Sequence, residues 1–318
     1  MNLSPTGSGV NYSSAMQSTD RVRPFGRLLT AMVTPFDAEL ELDPDKAAEL
    51  ATYLVDDLGH DGLVINGTTG EAPTTTDEEK VSLLRTVVEA VGDRAHVVAG
   101  VGSFSTAHTV ESAQQAVAAG ADGLLVVTPY YSRPPQRGLL HHFRTVADAT
   151  DLPVLLYDIP HRSGVPIEEA TLVELAAHDR IVGVKDAKCN APSSARVMAV
   201  CAERGHDLAF YAGDDNYALP LLAVGGVGLV GTSTHFSGAV ARQMIEAFEA
   251  GDHAGALALY RQVAPIFTGV FATQGSILVK AGLARLGRPV GGLRPPLPEA
   301  TAEEVAALDL CLAASGLA

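Results

Sequence analysis

Eight short apolar runs, alternating with longer helical patterns, constrain the fold of this chain more than any other feature. The runs lie at residues 28–33, 62–65, 97–101, 123–127, 154–157, 181–184, 208–211 and 227–230. They are largely apolar rather than alternating, as expected for parallel strands covered on both faces. Helical periodicity follows most of them, at 45–58, 77–91, 106–119, 138–149 and 167–177. Glycine or proline marks junctions such as Gly59, Gly92, Gly120 and Pro153. Eight such units within about 210 residues predict an α/β fold, a closed (β/α)8 TIM barrel. The rival is a doubly wound sheet, but no glycine-rich phosphate loop follows the first run. Beyond residue 239 the strands stop, and 240–250, 254–265, 273–286 and 303–314 all read as helices. The last three form a helical appendage that either braces a neighbouring subunit or caps the barrel. The predicted organisation is a flexible N-terminal tail at 1–26, a barrel catalytic domain at 27–250 and a C-terminal helical region at 251–318.

The 318 residues are 47% hydrophobic and carry a formal charge of −15. No Lys/Arg cluster offers the basic face that a nucleic-acid partner requires. An acidic total leaves room for a local basic pocket and an anionic substrate. The three cysteines, Cys189, Cys201 and Cys311, show no paired spacing, which predicts a reducing compartment without disulfides. No Cys/His set has metal-site spacing, and His141-His142 reads as a solvated or capping pair at the start of a helix. No apolar run has membrane-spanning length, and the first two dozen residues lack a signal-peptide pattern. The expectation is a soluble, cytoplasmic protein with neither nucleic-acid nor membrane partners.

Among five lysines, Lys46, Lys80 and Lys280 fall in helical patterns where a solvated ammonium is cheap. Lys185 falls in the apolar run Ile181-Val182-Gly183-Val184-Lys185-Asp186, where an ammonium is expensive. Burial there lowers its pKa and leaves a neutral amine, the nucleophile for a Schiff base with a carbonyl substrate. The bland alternative is a strand-end lysine that reaches solvent or pairs with Asp186. Position favours the chemical reading, because barrel chemistry gathers at the C-terminal ends of strands. Polar residues follow the runs there: Thr34-Pro35, Asn66-Gly67-Thr68-Thr69-Gly70-Glu71, Thr128-Pro129-Tyr130-Tyr131, Tyr157-Asp158-Ile159-Pro160 with Arg162, Gly213-Asp214-Asp215 and Gly231-Thr232-Ser233-Thr234. Gly67-Thr68-Thr69-Gly70 is either a helix-capping loop or a nest of N–H groups and hydroxyls for a carboxylate. Tyr157 is either a core aromatic or a proton shuttle. Arg162 is either a loop cation or a bidentate clamp on a second carboxylate. Asp214-Asp215 reads as a structural turn rather than a Mg²⁺ site.

In combination these motifs resemble the 4-hydroxy-tetrahydrodipicolinate synthase (dihydrodipicolinate synthase) family of pyruvate-dependent class I aldolases and lyases. The likeness runs from about residue 28 to 286. The resemblance implies that Lys185 forms the Schiff base with pyruvate and needs no cofactor or metal. It implies that Thr68 and Thr69 hold the pyruvate carboxylate, with Thr69 relaying protons and Tyr157 as the central shuttle. Tyr131 completes the relay in the neighbouring subunit's site, within a homotetramer built as a dimer of tight dimers. Arg162 binds the carboxylate of L-aspartate 4-semialdehyde, while Gly213 and the Val230-Gly231 backbone line the pyruvate pocket. The implied pathway is lysine and diaminopimelate biosynthesis.

There are departures from the family pattern. Ala72 stands where many members have serine. At the pocket where lysine inhibits some members, the matching positions are Asp77, Lys80, Phe104 and His108, with only Tyr130 kept, so lysine inhibition is expected to be weak or absent. The eighth-strand segment Gly231-Thr232-Ser233-Thr234-His235 is unusually polar, which predicts an altered pocket there. Sister enzymes such as N-acetylneuraminate lyase and 2-keto-3-deoxy-sugar-acid aldolases share the lysine, and a catalytically idle scaffold barrel is a third reading. Arg162 and Tyr130-Tyr131 favour the synthase.

Overall fold

The computed structural model describes residues 22–318. The predicted tail from 1 to 21 lies outside the described residues. The strands are β1 (Leu28–Ala31), β2 (Gly62–Ile65), β3 (His96–Gly100), β4 (Gly123–Val127), β5 (Val154–Asp158), β6 (Ile181–Asp186), β7 (Ala209–Ala212) and β8 (Gly228–Gly231). They pair in chain order, all parallel, and β8 closes on β1. The closed (β/α)8 barrel is therefore the fold, and the doubly wound sheet is excluded. Strand ends differ from the apolar runs by one or two residues, because the backbone ladder ignores side-chain polarity. It carries β5 and β6 through the pairs Tyr157↔Lys185 and Asp158↔Asp186.

The helices follow the predicted pattern with local changes. Asp43 caps Pro44–Thr52 by accepting from the Lys46 N–H, and a wider π-helical turn, Tyr53–Asp57, ends that segment. Thr76 and Glu79 form a capping box on Asp77–Val91, so this helix starts where its sequence signal lies. Ala191–Glu203 and the short Ala218–Ala223 complete the ring around the sheet. The predicted helix at 240–250 starts earlier, as Thr234–Glu249. Ser233, Thr234, His235 and Ser237 are fully buried, so this segment is a packed first turn rather than a polar loop open to the pocket. His235 Nδ1–H donates to the Thr232 carbonyl at 2.7 Å, and its Nε2 accepts from the Val33 N–H at 3.2 Å. Those two bonds suit a neutral ring, and burial holds its pKa down to about 4. His142, expected to be solvated, is also buried and pairs through Nδ1 with the Thr106 hydroxyl at 2.9 Å.

Two apolar layers result from the strand alternation. Leu156, Leu124 and Val126 face the helices, while Leu155, Leu125 and Tyr157 face the barrel interior. Phe25, assigned to the tail by the sequence reading, closes the bottom of the interior at 1% exposure. Its N–H donates to the Tyr211 hydroxyl at 3.2 Å, and that hydroxyl donates to the Gly26 carbonyl at 3.0 Å. A methyl group at Gly123 would lie 2.3 Å from Phe25 Cζ, so the plug requires glycine there. One isolated phenylalanine between Pro24 and Gly26 gives no periodic signal, which is why it was missed.

After the barrel come His253–Gly269, Gly275–Arg285 and Ala302–Ala314. The second of these packs back onto the catalytic end of the barrel. Lys280, read from the sequence as a solvated helical lysine, is 3% exposed and paired with Glu71 at 2.7 Å. Among the described residues no helix is long and apolar enough to cross a membrane.

Candidate active site

Register and strand parity bring the first two predicted residues together. Tyr157 and Lys185 are cross-strand partners on β5 and β6, and both point into the barrel near its C-terminal rim. Lys185 Nζ lies 4.5 Å from the centroid of the Tyr157 ring. Lys185 is 4% exposed. Burial pulls its pKa down to about 8, reinforced by the Arg162 charge and opposed by the buried Asp215 carboxylate. Burial pushes the Tyr157 hydroxyl up to about 12, against the nearby Arg162 and a hydrogen bond with the Thr68 side chain. Tyr157 is therefore a neutral hydroxyl at physiological pH, able to pass a proton but not to stand as an isolated base.

The loop after β2 is built with its carbonyls turned into the protein. The Gly67 carbonyl accepts from the Gly70 and Ala72 N–H groups, and the Thr68 carbonyl accepts from Glu71 N–H. The Thr69 carbonyl accepts from the Ser276 hydroxyl at 2.8 Å, and the Gly70 carbonyl from the Thr34 hydroxyl at 2.6 Å. Asn66 and Glu71, at the two ends, hold positive φ values of 60° and 56°. The N–H groups of Thr68 and Thr69 have no hydrogen-bond partner among the described residues. Two unpartnered N–H donors and two hydroxyls therefore stand together in this loop.

Thr68 and Thr69 have different neighbours. The Thr68 side chain is the threonine close enough to Tyr157 to lower its hydroxyl's pKa against burial. Thr69 Oγ1 instead lies 3.4 Å from Thr232 Oγ1.

Gly213 lies against the lysine stem: a methyl group there would sit 3.0 Å from Lys185 Cγ and 3.1 Å from Ala187 Cβ. Val230 is fully buried in the interior layer that also contains Tyr157. Arg162, on the short helix Pro160–Ser163, is solvent-exposed and lines a cavity at the barrel mouth. Tyr131 is 94% exposed and held at φ 69°, so its side chain is not brought into its own chain's cavity.

That cavity, of about 390 Å³, runs from the barrel mouth outward. Thr68, Tyr157 and Arg162 line its inner part, and Asp77, Lys80, Phe104, His108 and Tyr130 its outer part. Lys185 is not in its walls and meets it across Tyr157. At the outer end the Asp77 carboxylate already faces Lys80 Nζ at 3.2 Å and His108 Nε2 at 3.7 Å. Phe104 packs edge-on to Tyr130, with ring centroids 5.6 Å apart.

Three contributors escaped the sequence reading. Asp215, taken for part of a structural turn, is 1% exposed and accepts from the Thr232 N–H at 3.1 Å. It thereby ties the β7 loop to the β8 loop, and burial pushes its pKa up to about 7 beside Lys185. Ser276 and Lys280 are the others, one turn apart on Gly275–Arg285. Among the described residues, no group of three or more His, Cys, Asp or Glu is placed to hold a metal ion.

Residues 24–315 match the Dihydrodipicolinate synthetase family. The chain is 62% identical over 301 residues to the 4-hydroxy-tetrahydrodipicolinate synthase of Acidothermus cellulolyticus, covering 95% of this chain and 96% of that protein. Among solved structures it is similar to a dihydrodipicolinate synthase of Bacillus anthracis, with a TM-score of 0.88 and 39% identity over 91% of this chain and 98% of that one. It is also similar to the Cyanidioschyzon merolae enzyme solved with lysine bound, with a TM-score of 0.89 and 38% identity over 93% of this chain and 100% of that one.

Proposed function

The chain belongs to the dihydrodipicolinate synthetase family, and we infer that it is the lyase that condenses pyruvate with L-aspartate 4-semialdehyde to give 4-hydroxy-tetrahydrodipicolinate and water. The pathway is diaminopimelate and lysine biosynthesis. The observation that carries this reading is the buried, low-pKa Lys185 beside Tyr157, one loop away from two free N–H donors.

The Lys185 amine attacks the pyruvate ketone while the carboxylate sits on the Thr68 and Thr69 N–H groups. The tetrahedral adduct loses water to give the imine, and the methyl carbon then loses a proton to give the enamine. Tyr157 and the Thr68 hydroxyl carry the protons of these steps. Tyr131 extends the relay from the neighbouring subunit; its exposure and left-handed backbone suit a residue that serves another chain. The enamine carbon attacks the semialdehyde aldehyde, whose carboxylate Arg162 binds. The substrate amine then closes on the imine carbon and releases Lys185. Gly213 and Val230 shape the pocket around the lysine. The assembly is a homotetramer of two tight dimers in the cytoplasm, with the barrel at 27–250 carrying the chemistry and 251–318 forming the appendage.

The test is borohydride reduction in the presence of pyruvate, followed by intact mass and peptide mapping. The expected result is an adduct on Lys185 that L-aspartate 4-semialdehyde discharges and sugar aldehydes do not. Discharge only by a sugar aldehyde would reassign the protein to a sister aldolase.

Two further outcomes are expected. Arg162→Ala raises the KM for the semialdehyde by about 10- to 100-fold, the range for one charged hydrogen-bonded contact, and leaves the KM for pyruvate nearly unchanged. Because Arg162 is exposed, water shares its bonds and the effect stays below that of a desolvated clamp. Steady-state kinetics with each substrate varied in turn checks this, and equal damage to both KM values would remove Arg162 from its role. Second, L-lysine at low concentration leaves initial rates unchanged. The incoming ammonium meets Lys80, which already occupies Asp77, so like-charge repulsion opposes it. Strong inhibition in a lysine titration would show that this pocket accepts the amino acid after all.

A further inference from the structure

We propose that Ser276 and Lys280, on the helix Gly275–Arg285 of the C-terminal region, are positioning residues that clamp the Thr68-Thr69 loop from behind and so set the site of the pyruvate carboxylate. The inference rests on the reading of that loop as the carboxylate nest.

The two side chains are four residues apart and therefore share one helix face. Ser276 is fully buried, and its hydroxyl donates to the Thr69 carbonyl at 2.8 Å. Lys280 Nζ makes an ion contact with Glu71 Oε1 at 2.7 Å and donates to the Gly292 carbonyl at 2.5 Å. Its ammonium also lies 4.2 Å from the centroid of the Phe36 ring. Glu71 Oε2 accepts from the Arg294 N–H at 3.0 Å. The Arg294 guanidinium is committed elsewhere, forked onto Glu79 at 2.8 and 2.6 Å.

Glu71 ends the loop in a left-handed conformation, φ 56°, which a glutamate holds only when its surroundings fix it. Lys280 and the Arg294 N–H are those surroundings. A peptide unit has two ends, so holding a carbonyl inward turns the other end outward. The Ser276 bond fixes the Thr69–Gly70 peptide, whose N–H donates to the Gly67 carbonyl, and the anchored Glu71 donates its own N–H to the Thr68 carbonyl. The Gly67 and Thr68 carbonyls share their peptide units with the Thr68 and Thr69 N–H groups, so the clamp reaches those two donors through one loop bond each. The appendage is thus part of the ground-state geometry of the catalytic loop, although it contributes no atom to the cavity lining.

The experiment measures the pyruvate dependence of borohydride-trapped imine on Lys185, with steady-state kinetics alongside, for Ser276→Ala, Lys280→Met and the wild-type oligomer. In Ser276→Ala the half-saturating pyruvate concentration rises by roughly five- to tenfold, the effect of one ordinary hydrogen bond. In Lys280→Met it rises by roughly 30-fold or more, since a charged contact is lost. The trapped fraction at saturating pyruvate and the KM for the semialdehyde stay within about twofold in both. Should Lys280→Met fail to assemble, Ser276→Ala decides alone, because it deletes a single oxygen. Unchanged half-saturation in the folded variants overturns the clamp. So does a fall in plateau matched to the folded fraction with both KM values moving together, the signature of a merely structural role. A wild-type protein that traps no pyruvate overturns the functional reading and this inference together.

Discussion

Lys185→Met is expected to abolish the pyruvate adduct, to reduce turnover on the order of 10⁴-fold or more, and to raise the melting temperature. Both effects have one cause. With a pKa of about 8, Lys185 is about one-tenth free amine at pH 7, whereas an ordinary lysine at about 10.4 is free in less than roughly one part in a thousand. Wild-type trapping therefore rises with pH and levels off above about 8, following the free amine. The same shift costs stability. The unfolded chain keeps this proton up to about pH 10.4, and the folded protein only to about 8. Between those values the unfolded state binds more protons, so stability rises with pH. Below pH 8 both states are protonated and the full penalty stands, on the order of 3 kcal/mol. Methionine fills a similar volume without the buried charge, so the variant gives up the reaction and gains most of that energy. Trapping by the variant, or a melting temperature below that of the wild type in matched buffer and protein concentration, would contradict the account.

The barrel was legible because parallel strands covered on both faces must be apolar along their length, and eight such runs in order leave few ways to close. The position of Lys185 was legible for the related reason that a charge in such a run stands out. The same signal was present at Ile277-Leu278-Val279-Lys280-Ala281-Gly282-Leu283 and went unread. A helical lysine can extend its stem to solvent, and only the packing of that helix on Glu71 shows that this one does not. The segment from Thr232 to His235 failed in the opposite direction. Its hydroxyls and imidazole suggest a wet loop, yet each finds a local partner, such as Ser237 Oγ on the Ser233 carbonyl at 3.1 Å. Composition records polarity but not satisfaction, and burial follows satisfaction. The two threonines stand side by side in one loop, so sequence alone offered no way to see that Thr69 Oγ1 lies 3.4 Å from Thr232 Oγ1.

Lys280→Ala is expected to lower folding stability by about 3–5 kcal/mol, the range for stranding one member of a buried ion pair. The Glu71 side chain is fully buried and that of Lys280 is 2% exposed, so no water replaces the lost contact. The variant leaves the Glu71 carboxylate with the Arg294 N–H and no balancing charge of its own, since that guanidinium holds Glu79. The double variant Glu71→Gln/Lys280→Met removes both charges and keeps the volume, and it is expected to recover most of the loss. Thermal melts of the single and double variants at one protein concentration measure the coupling between the two positions. A double variant as unstable as the sum of its parts would mean that the pair acts as two independent side chains. Recovered stability with weakened pyruvate binding would separate the two consequences of the pair. An apolar pair can fill this space as stably as an ionic one, but it cannot accept the Arg294 N–H or hold a glutamate in a left-handed turn. What the charged pair adds is the position of the loop, and through it the direction in which the Thr68 and Thr69 N–H groups point.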